Sequence, residues 1–324
     1  MIGTRLAVAI EAGLVLPESN IVFHPNAESD LNAVPNARVV QPFRPDHDHF
    51  QNIGYQTSPE EDGTADGAIV CVPRAKKEAY NLIARAARST SGVLVVDGQK
   101  GDGIDSVLKA VRSRVEVAGV ISKAHGKLFW FSVGPDAVFD DWLVGPALTE
   151  GGFWTAPGVF SADGIDEGSA LLADALPDNL KGHVLDFGAG WGFLSAHILV
   201  REAVESLHLV EAHHLALQCA EHNITDPRVR FHWADAIHWE TPVLLDAVVM
   251  NPPFHRGKAG DPGLGQAFIQ SAARNMKPTG KLWMVANRHL PYEETIASLF
   301  AKVIDLGGNQ RFKLICAERP KRRR

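Results

Sequence analysis

Along the whole chain, apolar runs of strand length alternate with segments whose apolar positions fall three and four apart. In the first half the runs predict strands at Asn20–His24, Ala68–Val72, Gly92–Asp97, Val117–Ser122 and Lys127–Val133, the last two separated by His125-Gly126. In the second half they predict strands at Val184–Phe187, His208–Glu211, Val229–Asp235 and Leu245–Met250. Helical spacing marks Met1–Ala12, stopped by Gly13; Lys76–Arg88, with Leu82, Ile83 and Ala86 apolar; Gly103–Val115; Ala170–Leu176; and the amphipathic Phe193–Ala203. Residues 42–66, rich in Asp, Glu, Pro, Gly and His, read as a loop. Strand and helix thus alternate in both halves, which predicts an α/β protein with parallel sheets.

A chain of 324 residues is long enough for two domains with a core each. The boundary is expected in Asp140–Gly152, which holds Pro146 and Gly151-Gly152, giving domains at 1–145 and 146–324. With 45% hydrophobic and 22% charged residues the composition is that of a soluble globular protein, and no apolar run reaches membrane-spanning length. Met1–Leu16 carries Glu11 and no clear cleavage site, so it reads as folded chain and not as a signal peptide. Cys71, Cys219 and Cys316 lie far apart and form no metal-type pair, which fits buried thiols in a reducing cytoplasm. His47-Asp48-His49 offers two imidazoles and no partner cluster, so no metal site is expected.

Net charge is −6, which argues against a broad nucleic-acid-coating surface. Residues 1–150 hold 14 basic and 19 acidic side chains, and the rest hold 18 and 19. Five of the last six residues, Arg319 to Arg324, are basic; such a tail suits phosphate contacts or is simply solvated.

The chemistry is concentrated in Val184-Leu185-Asp186-Phe187-Gly188-Ala189-Gly190-Trp191-Gly192-Phe193-Leu194. A buried strand ends in an acid, then glycines occupy every second position before a helix. Without Cβ atoms, Gly188, Gly190 and Gly192 let the backbone turn sharply and approach a ligand. The dinucleotide fingerprint G-x-G-x-x-G has a different spacing. Downstream, Glu211 closes one strand, where a carboxylate takes a ribose diol in doubly wound sheets. Asp235 closes the next and is placed to accept from an adenine amino group. Leu245–Met250 then leads into Asn251-Pro252-Pro253-Phe254, whose prolines stiffen the turn and remove competing N–H donors.

These motifs carry a resemblance. The acid–glycine turn resembles the first motif of class I S-adenosylmethionine (SAM) methyltransferases, and Asn-Pro-Pro-Phe resembles the catalytic motif of those acting on planar exocyclic or amide nitrogens. Pro-Gly-Val-Phe-Ser (157–161), Asp-Gly-Ile-Asp-x-Gly-Ser (163–169), the glycine turn and Asn-Pro-Pro-Phe-His (251–255) occur in this order. Val285-Ala286-Asn287, Leu290-Pro291-Tyr292 and Arg311-Phe312-Lys313 follow. Together, over about residues 150 to 318, they resemble the ribosomal RNA small-subunit guanine-N2 methyltransferases. Two departures stand out: Trp191 places a bulky residue within the glycine turn, and Glu211 stands where Asp is common.

The resemblance implies two Rossmann-like methyltransferase-type domains, the N-terminal one degenerate; there, Pro73-Arg74 follows a strand where the other half has Asn-Pro-Pro-Phe. It implies SAM as cofactor, held by Asp186, Gly188, Gly190, Gly192, Glu211, Asp235 and Asn251. It implies methylation of a guanine N2, with Asn251, Pro252, Pro253 and Phe254 catalytic and Phe160, Ser161, Phe254 and His255 contacting substrate. The glycine-rich segment 155–169 is expected to lie over cofactor and base. The partner would be ribosomal RNA or a small-subunit assembly intermediate, met by a cytoplasmic monomer without metal. Other readings stay open: Asn-Pro-Pro-aromatic motifs also serve adenine N6 and a protein glutamine amide, and a binding module without turnover is a third class. Phe254 followed by His255 leans toward guanine, and the intact Asn251 leans toward catalysis.

Overall fold

The computed structural model describes residues 2–253, 255–256, 259–260 and 262–321, with backbone alone at 255–256 and 259–260. The chain forms two compact units, residues 1–145 and 146–324.

In the first unit α1 (Ile2–Glu11) is followed by β1 (Asn20–Phe23), β2 (Ala37–Val40), α2 (Arg44–Asn52), β3 (Gln56–Ser58), β4 (Ala65–Cys71), α3 (Lys76–Arg88), β5 (Thr90–Gln99), α4 (Ile104–Arg112), β6 (Gly119–Lys123) and β7 (Gly126–Ser132). The strands form one sheet in the order β3-β2-β1-β4-β5-β7-β6. All neighbours pair parallel except β7, which is antiparallel to both β5 and β6. The sheet is buried on both faces. Ile21, Phe23, Val70, Leu94 and Phe129 pack with α3 and α4, while Val22, Ile69, Val95 and Leu128 pack with α1 and Phe50 of α2. That two-sided burial is why these strands read as continuous apolar runs.

The second unit begins with a short antiparallel pair, β8 (Ala147–Leu148) and β9 (Trp154–Thr155), then α5 (Glu167–Ala175). Its main elements are β10 (Gly182–Phe187), α6 (Phe193–Leu199), β11 (Val204–Glu211), α7 (His214–Asn223), β12 (Val229–Trp233) and β13 (Leu245–Met250). A two-residue ladder of β14 (His255–Arg256) with β15 (Ala259–Gly260) precedes α8 (Pro262–Asn275), β16 (Met276–Asn287), α9 (Glu293–Leu299), β17 (Phe300–Gly308) and β18 (Phe312–Pro320). The sheet order is β12-β11-β10-β13-β16-β18-β17, with only β18 antiparallel to its neighbours. Numbered from its own first strand, each sheet therefore runs third, second, first, fourth, fifth, seventh, sixth. Side chains alternate between faces: Val184, Leu207, Leu209, Ala247 and Val249 meet α5, α6 and α7, and Leu185, Phe187, Val210, Val248 and Met250 meet α8 and α9.

Several expectations need correction. Residues 42–66 are not one loop, because α2 and β3 lie within them. Pro45 starts α2, and only His47 and Phe50 are buried from it, so its apolar stripe is too short to read in a polar stretch. Strand β3 lies at the sheet edge with no residue fully buried, so alternation gives no signal. The segment 193–203 stays helical only to Leu199. Beyond it, the Arg201 guanidinium donates to the carbonyls of Leu176 and Pro177, turning the chain toward β11.

The first unit also contains a fully buried cation. Arg5 on α1 donates from Nε and Nη2 to the two oxygens of Asp97 on β5, at 2.5 and 2.7 Å, and from Nη1 to the Lys123 carbonyl at 3.2 Å. The guanidinium thus ties α1 to the sheet and to the β6–β7 hairpin. Removing one partner leaves the other charge buried alone, so Asp97→Ala is expected to destabilise this unit by about 3–5 kcal/mol. Urea denaturation of the full chain checks it, and a loss below about 1 kcal/mol would contradict it.

Candidate active site

The order of the second sheet reverses between β10 and β13, so a crevice opens at their carboxyl ends, where doubly wound sheets bind ligands. Four neighbouring parallel strands end there. Beyond β10 come Gly188 to Gly192, β11 ends in Glu211, Asp235 lies two residues past β12, and Asn251 immediately follows β13.

Asp186 sits just before the turn and is 1% exposed. Its Oδ2 accepts from the Ser195 hydroxyl of α6 at 2.6 Å, while Oδ1 is buried with no hydrogen-bond partner among the described residues. Burial, with the nearby Glu211 charge as a smaller contribution, raises its carboxyl to about 7. Burial also raises the Glu211 carboxyl, against backbone N–H donors that favour its charged form.

The glycine turn is pinned to β11. Gly188 and Ala189 donate their N–H groups to the Val210 carbonyl, and Gly190 donates to Glu211 Oε2 at 2.8 Å. Glu211 Oε1 accepts from His213 N–H at 2.7 Å. The three glycines differ in what their missing side chain makes possible. Gly190, at φ 58°, would point a Cβ into open space. Gly192, at φ 92°, would drive a Cβ to 2.7 Å from Ile224 beside α7, so it serves packing of the turn on that helix. Asp235 caps its own turn by accepting from Ile237 N–H at 2.9 Å.

Trp191 turns away from the crevice. It is 4% exposed, packs against Phe153 and Phe193, and donates its indole N–H to the Phe160 carbonyl at 3.0 Å. The bulky residue in the glycine turn thereby anchors the preceding loop. In that loop Phe160 is 58% exposed, and Ser161, at φ 53°, donates its hydroxyl to the Gly164 carbonyl. Asn223 of α7 holds both ends, donating to the carbonyls of Trp154 and Trp191.

Asn251 donates from Nδ2 to Asp166 Oδ2 and to Ser169 Oγ, both at 2.9 Å. Asp166 is the N-cap of α5, with the same Oδ2 accepting from Ser169 N–H at 2.8 Å. After Asn251, Pro252 is buried and Pro253 exposed. Phe254 and the His255 side chain, both expected at the substrate, lie outside the described residues.

The segment 163–169 therefore does more than cover the crevice. Asp166 and Ser169 grip Asn251, Glu167 accepts from Arg311 at 2.6 Å and from Asn309 at 2.7 Å, and Gly168 brings the Phe312 ring so near that a Cβ would stand 3.0 Å from it. Sequence reasoning assigned neither Asp166 nor Ser169 to the site. The available signal was their spacing, which puts both in the first turn of one helix. The later motifs mostly build the fold. Tyr292 is fully buried against Gly265, and the Lys313 ammonium donates to the Leu290 carbonyl at 2.6 Å and to Glu293.

At the corresponding point of the first unit β1 leads into His24-Pro25 and β4 into Val72-Pro73-Arg74, and no helix joins β1 to β2 among the described residues. Among the described residues no group of three or more His, Cys, Asp or Glu side chains is placed to hold a metal, and no helix is long and apolar enough to cross a membrane.

Residues 150–316 match the model of the methyltransferase small domain. The ribosomal RNA small subunit methyltransferase C of Shewanella loihica is 30% identical over 324 residues, covering 92% of this chain and 94% of that protein. Its counterpart from Shewanella pealeana is 34% identical over 275 residues, covering 81% and 80%. The fold is that of the T. thermophilus 16S rRNA N2 G1207 methyltransferase (RsmC), solved in complex with AdoMet and guanosine, with a TM-score of 0.78 at 23% identity over 94% of this chain and 90% of that one. An acid–glycine turn, an acid after the next strand and Asn-Pro-Pro after the fourth, on a sheet that reverses between them, are what such a relationship requires. The chain belongs to the ribosomal RNA small subunit methyltransferase C family, with a methyltransferase small domain as its C-terminal half.

Proposed function

We propose that the C-terminal unit methylates the exocyclic N2 amine of a guanine in small-subunit ribosomal RNA, using SAM. The observation that carries the reading is the convergence of the glycine turn, Glu211, Asp235 and Asn251-Pro252 on the carboxyl ends of four adjacent strands. The crevice fits an adenosyl cofactor. Gly190 leaves open space at the turn, and each Glu211 oxygen, already taking one N–H, keeps a lone pair for a ribose hydroxyl. Asp235 is assigned to the adenine amino group. When bound, SAM supplies a methyl group on a sulfonium, an electrophile needing no further activation.

The work left to the chain is positioning. A guanine N2 lone pair is delocalised into the ring, so the amine must be held in line with its target. Asn251 Oδ1 and the Pro252 carbonyl are assigned to accept the two N2 hydrogens. Both contacts strengthen as the nitrogen gains positive charge, which places their effect in the transition state. Phe254 is assigned to stack on a base that is unpaired or flipped out of its helix. The extra proton leaves to water. The N-terminal unit, with the same strand order but neither glycine turn nor Asn-Pro-Pro, is read as a copy without a cofactor site that holds RNA or orients its neighbour. We read the enzyme as a cytoplasmic monomer whose site one chain completes.

The test is transfer of labelled methyl groups from SAM to 16S ribosomal RNA, free or in the small subunit, followed by digestion to nucleosides. N2-methylguanosine is expected; label in N6-methyladenosine, or in protein glutamine, overturns the reading. In the same assay Asn251→Ala should lower single-turnover methylation by about 10²–10³ while SAM affinity stays nearly intact. Near-normal methylation by that variant would move the assignment to another residue.

The buried Asp186 carboxyl gives a pH signature. In the fold it keeps its proton up to about 7, whereas its ordinary value is 3.8. Unfolding between those values releases a proton, so stability falls as pH rises through this window and levels off above it, by up to about 1.4 kcal/mol per unit. Cofactor-free protein should therefore lose stability from pH 5.5 to 8 relative to Asp186→Asn, which has no carboxyl to titrate. Parallel urea midpoints for the two proteins across that range would contradict the assignment.

A further inference from the structure

We propose that Asp166 and Ser169 are positioning residues for methyl transfer: they lock the Asn251 carboxamide with its nitrogen turned into the protein, so that only its oxygen faces the group to be methylated. The inference rests on the reading of Asn251 as the residue that meets the target amine. A primary amide has two N–H donors and one acceptor oxygen, and rotation by half a turn exchanges them. Here Nδ2 lies 2.9 Å from Asp166 Oδ2 and 2.9 Å from Ser169 Oγ, which engages both donors. A carboxylate only accepts, so the rotated amide would set its oxygen against the Asp166 charge. That repulsion forbids the exchange.

The consequence is a choice of substrate edge. Fixed this way, Asn251 presents an acceptor and meets groups that donate, such as an exocyclic amine. Rotated, it would present N–H groups and favour a carbonyl edge, such as the O6 side of the same base. The carboxylate also polarises the amide, because hydrogen bonds in a chain strengthen one another. The Asn251 oxygen thereby becomes a better partner for a nitrogen gaining positive charge.

Asp166 also caps α5, so a purely structural role has to be separated from this one. The geometry allows it. The start of α5 is held independently by Glu167 with Arg311 and Asn309, and by Gly168 against Phe312. Asn is as good an N-cap as Asp, so Asp166→Asn keeps the helix while removing the charge that forbids rotation.

The experiment is a double-mutant cycle in the full chain, read by single-turnover methylation of 16S ribosomal RNA with labelled SAM and by SAM affinity. Asp166→Asn with Ser169→Ala should slow methylation about ten- to hundredfold, as a small misplacement of a reacting group does, with SAM affinity within about twofold. Introduced into the Asn251→Ala background, the same pair should slow it no further, because the two residues act only through Asn251. A further tenfold loss in that background, or an unchanged rate in the wild-type background, overturns the proposal and leaves the assignment of Asn251 standing. A near-normal rate for Asn251→Ala alone overturns both.

Discussion

The parallel pairing of β10 with β13 is the constraint on which the site depends. Its register sets Asp186 opposite Val249, so that Gly188 and Asn251 emerge level with each other two residues later. Both strands are buried on both faces, with Leu185, Phe187, Val248 and Met250 on one side and Val184, Ala247 and Val249 on the other. A slip by one residue would send each of these side chains to the wrong face, so the hydrophobic pattern itself fixes the alignment of the polar residues beyond it. The chemistry needs no separate scaffold, because it sits where two tightly specified strands run out.

Around that point the protein concentrates acidic groups under low dielectric. Asp186 and Glu211 disfavour each other's charge and both resist ionisation through burial. Such an arrangement costs stability unless something cationic is bound, which is the usual trade at a functional site. The carboxylate of Asp166 plays a different part. It accepts from two neutral donors, the Ser169 N–H and the Asn251 amide, and joins the first turn of α5 to the end of β13.

The two sheets repeat one strand order with different ends. In the first unit the carboxyl ends at the reversal point carry His24-Pro25 and Pro73-Arg74, and α1 is anchored through the Arg5–Asp97 pair. The same backbone plan thus supports a cofactor crevice in one unit and a folded body without the glycine turn in the other. The difference lies in a few loop residues and not in the core, which is why fold alone says little about function.

The sequence by itself determined the fold class, because strands buried on both faces leave unbroken apolar runs and the helices between them leave a period of 3.6. It also determined the chemical vocabulary at the strand ends, since the glycine turn and Asn-Pro-Pro-Phe are contiguous in the chain. It did not determine α2 or β3, which bury too little to pattern. Nor did it determine which face each glycine serves: only the tertiary structure sets Gly192 against Ile224 and leaves Gly190 open. Trp191 read as an intruder in the turn until the fold placed its indole N–H on the Phe160 carbonyl. The grip of Asp166 and Ser169 on Asn251 spans more than eighty residues. No local pattern encodes a hydrogen bond between the first turn of one helix and the end of a strand several elements later; the packing of α5 on the sheet decides it.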